Sequence, residues 1–239
     1  MSASPAPQAL SERQAQYAAL AALPTAAISL ANGCYLEAAY RYSPRLFWTL
    51  DALNFIVVPA LSCWLLWRLA GVSPARYGLG RLATQRSAVR DALAYAGVVV
   101  ALVGGYSIAG NVAFLVGPLL WSGSSFSYQQ VIPMGGGSAM ATLLYLAVTA
   151  GLSEEIIFRA LPALYLSSRL TPRTYSQVYP LASAAAFAAI HWEQGSQEMF
   201  ATFLFGLMAA WLYMKVRNLW PLAFGHALTD LLAFSGYYG

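Results

Sequence analysis

Seven stretches of mostly apolar residues dominate this 239-residue chain. A helix that crosses a bilayer needs about 20 such residues. Backbone polar groups in lipid have no water to bind and must be satisfied within the fold, and helices of this length do so. The stretches therefore predict an all-α, polytopic transmembrane helical bundle of about seven spans. They cover residues 16–38, 46–68, 92–117, 139–167, 177–192, 199–216 and 219–237.

The composition agrees with a membrane setting. Hydrophobic residues make up 59% of the chain and charged residues only 9%, whereas about a quarter of an ordinary soluble domain is charged. The 13 basic residues are scattered between apolar stretches rather than clustered. This distribution excludes a nucleic-acid-binding module and predicts membrane lipid as the surroundings of the protein.

Connections between the stretches predict the orientation and the organisation of the bundle. The connection after the second stretch holds Arg68, Arg76, Arg81, Arg86 and Arg90, whereas 118–138 and 193–198 hold no lysine or arginine. The positive-inside rule then places the N-terminus in the cytoplasm. We divide the chain into N-terminal helices with an extracytoplasmic loop (1–138) and a C-terminal helical core (139–239). Arginine outnumbers lysine 12 to 1, which indicates a GC-rich genome and a prokaryotic inner or plasma membrane.

Two adjacent carboxylates and an arginine lie inside the fourth apolar stretch, where each charge costs at least a few kcal/mol. Glu155 and Arg159 are four residues apart, so they share a helix face in the favourable order and can pair. Glu154 points about 100° away and is expected to face a polar cavity as a general base. The alternative is a purely structural ion-pair network of all three residues.

The only two histidines of the chain also lie in apolar stretches. His191 follows an alanine-rich helix and could hold or activate a water, or it could simply meet solvent at the membrane interface. His226 and Asp230 share a helix face at i, i+4, so the carboxylate can hydrogen-bond the imidazole and support a positive charge that stabilises an oxyanion. The alternative is a buried polar pair that joins two helices.

This set of two glutamates, two histidines and an aspartate could also ligate zinc. However, the helical zinc-protease spacing His-Glu-x-x-His is absent. We therefore predict a metal-free acid–base hydrolase without a cofactor, with a zinc enzyme as the open alternative.

Three ordered motifs resemble the CAAX-protease and bacteriocin-processing family of intramembrane glutamic proteases, also called the Abi family. Its pattern is Glu-Glu-x-x-x-Arg, then Phe-x-x-x-His, then His-x-x-x-Asn or Asp. Here the motifs are Glu154 to Arg159, Phe187 to His191 and His226 to Asp230. The resemblance covers about residues 139–235, and it implies an active site among the four C-terminal spans.

The resemblance implies a role for each matching residue. Glu154 would activate the attacking water with help from His191, and His226 with Asp230 would stabilise the oxyanion. Substrate contact or structural support falls to Glu155, Arg159 and Phe187. Position 230 is aspartate where the eukaryotic CAAX enzymes have asparagine, and an ionised carboxylate cannot donate to an oxyanion, so Asp230 must be protonated or act through His226.

The predicted function is that of an intramembrane glutamic endopeptidase. Its substrate would be a peptide, a bacteriocin precursor or the C-terminal sorting signal of a membrane-anchored or exported protein. The alternatives are a narrower prenyl-CAAX endopeptidase and a non-catalytic immunity or scaffold protein. A transporter would show an internal repeat, and none is apparent. The pattern indicates no particular oligomeric state.

Overall fold

The described part of each of the seven apolar stretches is mainly helical in the computed structural model, which describes residues 10–80, 88–119, 128–133 and 136–235. The last two residues of the seventh stretch, 236 and 237, lie outside the described residues. Parts of the 118–138 loop (120–127 and 134–135) and two arginines used for the orientation, Arg81 and Arg86, lie outside the described residues. The helices are α1 (Glu12–Leu30), α2 (Asn32–Tyr42), α3 (Pro44–Ala52), α4 (Val58–Ala70), α5 (Ala88–Val116), α6 (Gly136–Glu155), α7 (Leu161–Arg169), α8 (Pro172–Ala189), α9 (Ser196–Val216) and α10 (Trp220–Ser235).

Four helical segments are long and apolar enough to cross a membrane, namely Pro44–Ala70, Val89–Val116, Gly136–Arg169 and Ser196–Val216. A fifth is possible if α1 and α2, which meet at an angle of 50°, form one broken span. The prediction of a polytopic helical bundle is confirmed. Two of the seven predicted spans do not meet the same test, because α8 carries several polar residues and α10 has only 16 residues in the described part.

Proline breaks two of these spans at the same relative place. Pro59 and Pro162 each stand second in the helix after a five-residue π-helical turn, at Leu53–Val57 and Ile156–Ala160. Proline has no N–H to donate and its ring crowds the carbonyl four residues earlier, so the regular ladder opens there. Such π-helical turns occur frequently at functional sites.

Helix α10 lies between α6 and α5, and α9 packs on α8 and α5. The main apolar core includes Leu66, Leu102, Phe158, Phe187 and Phe205. These residues come from both sides of the predicted boundary at 138, so the two parts share a core, and the boundary itself stays a prediction. Large apolar side chains on α5, among them Ile108 and Phe114, are exposed on the outside of the bundle, as expected for a lipid-facing helix.

Gly151 sets the distance between α6 and α10. A Cβ atom at this position would lie 2.7 Å from the backbone nitrogen of Ala227 and 2.8 Å from the backbone oxygen of Ala223. Small residues allow this kind of close helix approach in membrane proteins. The contact holds the turn of α10 that carries His226 against the turn of α6 that precedes Glu154.

We expect Gly151→Ala to lower the stability of the folded chain by about 1–3 kcal/mol, because the added methyl group overpacks a backbone contact. Gly104→Ala is the matched control, since its Cβ would point into open space on α5. Thermal unfolding in detergent should show a lower midpoint for the first variant and an equal or higher one for the second. Equal midpoints for both variants would contradict a close α6–α10 contact at Gly151.

Candidate active site

The two glutamates lie at the C-terminal end of α6, directly before the π-helical turn. Pro162 cannot donate to the carbonyl of Phe158, and the Ser183 hydroxyl donates to that oxygen instead, at 2.6 Å. The Tyr179 hydroxyl donates to the next carbonyl, that of Arg159, at 3.2 Å. Helix α8 therefore satisfies the backbone groups that the break leaves open, and it fixes the turn that follows the carboxylates.

Glu155 is fully buried and joins two partners. Its Oε2 lies 3.4 Å from Nε of Arg159, and its Oε1 lies 2.9 Å from Nδ1 of His226. The guanidinium of Arg159 is also fully buried and lies 4.2 Å from the ring centroid of Phe187, a favourable cation–π contact. The predicted pairing of Glu155 with Arg159 is present, and Phe187 supports it.

His226 stands between the two glutamates. A carboxylate only accepts, so Nδ1 of His226 carries a proton and donates to Glu155. Its Nε2 faces Glu154 Oε2 at 3.6 Å and Asp230 Oδ1 at 3.7 Å. The predicted hydrogen bond between His226 and Asp230 is not formed at this distance, because the imidazole takes Glu155 from the neighbouring helix as its partner. Asp230 is at ion-pair distance instead.

His191 lies just beyond the end of α8 and is held by its own helix. Its Nδ1 is 2.9 Å from the backbone carbonyl of Phe187. A carbonyl can only accept, so Nδ1–H donates, and Nε2 of the neutral imidazole keeps its lone pair. The Phe187 ring lies against both imidazoles, with centroid distances of 4.9 Å to His191 and 5.6 Å to His226.

A cavity of about 100 Å³ brings four of the predicted residues together. Glu154, His191, His226 and Asp230 all line it. The other three, Glu155, Arg159 and Phe187, do not line it and support it from behind. Glu154 therefore faces a polar cavity, as predicted, whereas the adjacent Glu155 pairs with Arg159.

Eight further polar residues line the same cavity and are not among the predicted site residues: Asn32, Asp51, Tyr106, Tyr128, Thr149, Glu193, Gln194 and Glu198. The sequence pattern alone assigns no role at the site to Asp51, Glu193 or Glu198. Isolated acids within or beside apolar stretches are the available signal. These side chains come together because α2, α3 and α5 pack against the C-terminal helices. Such packing between helices cannot be predicted from local sequence patterns.

Glu193 lies in the short turn Trp192–Gln194, between α8 and α9. Burial raises the pKa of this carboxyl to about 7, against hydrogen bonds that favour the charged form. In the part of the chain that the structure describes, no group of three or more histidine, cysteine or acidic side chains is arranged to hold a metal ion.

The fold and the cavity define a class: a polytopic helical membrane protein whose titratable side chains meet inside the bundle. Residues 136–232 match the family model described as "Type II CAAX prenyl endopeptidase Rce1-like". This segment contains all three motifs, so the family resemblance predicted from them is confirmed. Neither the comparison with curated proteins nor the comparison with solved structures found a match.

Arg159→Met should destabilise the protein by about 3–5 kcal/mol, because removing one partner of a buried pair leaves the other charge uncompensated. Arg41→Met is the matched control. Arg41 pairs with Glu37 at 2.6 Å on the surface, and its side chain is 77% exposed, so that its loss should cost no more than about 1 kcal/mol. Unfolding in mixed micelles, followed by tryptophan fluorescence, measures both. Similar small losses would show that the buried arginine is not held by Glu155.

Proposed function

We propose that this protein is an intramembrane endopeptidase of the glutamic type, which hydrolyses a peptide bond with a water activated by Glu154. The observation that carries the proposal is that two adjacent carboxylates have different surroundings. Glu155 is paired with Arg159 and His226, whereas Glu154 faces the cavity that also contains His191. A catalytic base needs access to water, and the match to a family of membrane endopeptidases supports the same interpretation.

In the proposed reaction, Glu154 takes a proton from water as the water oxygen attacks the scissile carbonyl carbon. The Nε2 lone pair of His191 can accept a hydrogen bond from the same water and orient it. The C–O bond forms, the carbonyl π electrons move to oxygen, and a tetrahedral oxyanion results. Glu154 then gives its proton to the leaving nitrogen as the C–N bond breaks.

The oxyanion needs a donor, and His226 is the candidate. Its Nδ1–H is engaged with Glu155, so a protonated ring would donate through Nε2. Asp230 Oδ1 lies 3.7 Å from that nitrogen, and its negative charge would stabilise the imidazolium after Glu154 has taken the proton of the water and become neutral. Asp230 thus acts through His226 rather than as a donor, which accounts for an acid at this position.

We propose a membrane-anchored or exported peptide or protein as the substrate class, since the cavity lies within the bundle. The family description names a prenyl endopeptidase, and prenyl-CAAX processing is the narrower possibility within the same chemistry. The proposed setting is a prokaryotic inner or plasma membrane with the N-terminus in the cytoplasm. Metal independence belongs to the proposal as well.

Glu154→Gln should reduce cleavage by about 10²- to 10⁴-fold, the usual contribution of a general base, while the chain stays folded because the change is isosteric. Glu37→Gln removes a carboxylate outside the cavity and is the control, with unchanged cleavage expected. Substrates are identified by the new protein N-termini that arise in the membranes of cells expressing each chain.

The purified chain and a substrate found in this way complete the test. Cleavage that persists in 1,10-phenanthroline supports the metal-free mechanism, and its loss would shift the assignment to a metalloprotease. Cleavage by the Glu154→Gln variant at the wild-type rate would rule out Glu154 as the catalytic base. Identical N-termini in cells with wild type, Glu154→Gln and no protein would overturn the protease assignment in favour of a scaffold.

A further inference from the structure

The acidic residues of this chain are concentrated around one cavity. Of nine aspartates and glutamates in the sequence, five line it: Asp51, Glu154, Glu193, Glu198 and Asp230. Among the described lining residues there is no lysine or arginine, although the chain has 13. The proposed chemistry uses only Glu154 and Asp230. The other three carboxyl groups give the cavity more acidic side chains than the proposed hydrolysis itself requires.

Asp51 is the most informative of these groups because it is buried and only half satisfied. It is 1% exposed, and its Oδ2 accepts a hydrogen bond from the Tyr145 hydroxyl at 2.9 Å. Its Oδ1 has no hydrogen-bond partner in the described part of the chain. An unpaired buried carboxylate oxygen is costly, so a residue that merely joined two helices would be expected to satisfy both oxygens.

Asn32 provides a second acceptor in the same cavity. It is 3% exposed, and its Oδ1 also has no partner among the described residues, while its amide nitrogen is 3.5 Å from the Tyr128 hydroxyl. Two buried acceptor oxygens in a cavity lined by five acidic residues, with no lysine or arginine among its described lining residues, suit a group that carries several donors and a positive charge. An ammonium offers three N–H donors and a guanidinium five, whereas a neutral peptide amide offers one.

The backbone around Asp51 is built like the backbone around Glu154, the proposed catalytic base. One residue separates Asp51 from the π-helical turn Leu53–Val57, and one residue separates Glu154 from the turn Ile156–Ala160. These two turns are the only π-helices in the described ranges, and the first contacts α6. Each break therefore presents an acid to the same cavity.

We propose that Asp51, with Asn32, forms a subsite that binds a cationic nitrogen of the substrate, so that the enzyme prefers peptides with a basic group close to the scissile bond. The inference rests on the proposed function for its meaning, because it gives that activity a substrate class. The basic group is a lysine or arginine side chain or a free α-ammonium, which share this chemistry.

Binding to the full-length Glu154→Gln chain in nanodiscs tests the subsite apart from cleavage. The probes are fluorescent peptides with an apolar anchoring tail that carry lysine, norleucine or glutamate at successive positions, each with a free or acetylated N-terminus. Fluorescence anisotropy should show about tenfold or tighter binding for the best lysine peptide over its norleucine partner, as expected for a charge-assisted hydrogen bond. A preference for the free N-terminus alone would identify the α-ammonium as the group bound.

Variants then assign the preference to Asp51. Asp51→Asn keeps an acceptor for Tyr145 and should bring the ratio for basic over neutral peptides close to one, whereas Glu37→Gln, which removes the same charge outside the cavity, should leave it unchanged. Asn32→Asp should raise the ratio, and this keeps the test decisive if Asp51→Asn fails to fold.

Equal binding of basic and neutral peptides would overturn the subsite, as would a preference that survives in a folded Asp51→Asn chain. A preference that depends on Asp51 in a protein that cleaves nothing would support the subsite and count against the protease assignment. The two proposals can therefore fail separately.

Discussion

A fully buried arginine is the constraint around which the site is arranged. A guanidinium inside an apolar bundle needs a counter-charge, and Arg159 finds it in Glu155 four residues earlier. The second oxygen of Glu155 then holds Nδ1 of His226 on another helix. This orientation turns Nε2 towards the cavity, to Glu154 and Asp230. One pairing thus determines which of two adjacent glutamates is structural and which is exposed to the cavity.

The same pairing depends on a break in the helix that carries it. Pro162 opens the ladder after Glu155, and an open carbonyl in an apolar setting would cost several kcal/mol if nothing bound it. Ser183 on α8 supplies the donor. Because α8 also carries Phe187 in its last turn and leads into His191, the helix that supplies this donor also positions the second imidazole. The geometry of the carboxylates and the position of His191 are therefore coupled through α8.

The sequence is most informative where the relevant contact is local. Glu155 and Arg159 can be paired from their spacing alone, because i, i+4 neighbours on a helix meet whatever the rest of the fold does. The same logic misleads for His226 and Asp230, since a tertiary partner, Glu155, offers the imidazole a better hydrogen bond than its own helix does. Helical periodicity cannot rank a local partner against one that arrives from another helix.

The position of Asp51 and Asn32 in the cavity could not be predicted from the sequence pattern. Both lie far from the motifs along the chain, and they reach the cavity only because the N-terminal helices share a core with the C-terminal ones. A signal for Asp51 is present in Pro59, which stands at the same place after its π-helical turn as Pro162 does after the other. Two broken helices with an acid before each break are visible in the sequence, although their meeting is not.

The division between the matched and unmatched parts of the chain has a physical meaning. The family match covers 136–232, which contains every group that the proposed reaction uses, whereas Asn32 and Asp51 lie outside it. Chemistry and substrate choice would therefore reside in different helices around a single cavity. The charge presented by α2 and α3 could change without moving Glu154, because Glu154 is fixed by α6 and by the pairing of its neighbour. In such an arrangement, substitutions in α2 and α3 can change which substrates are bound without changing the residues that carry out the hydrolysis.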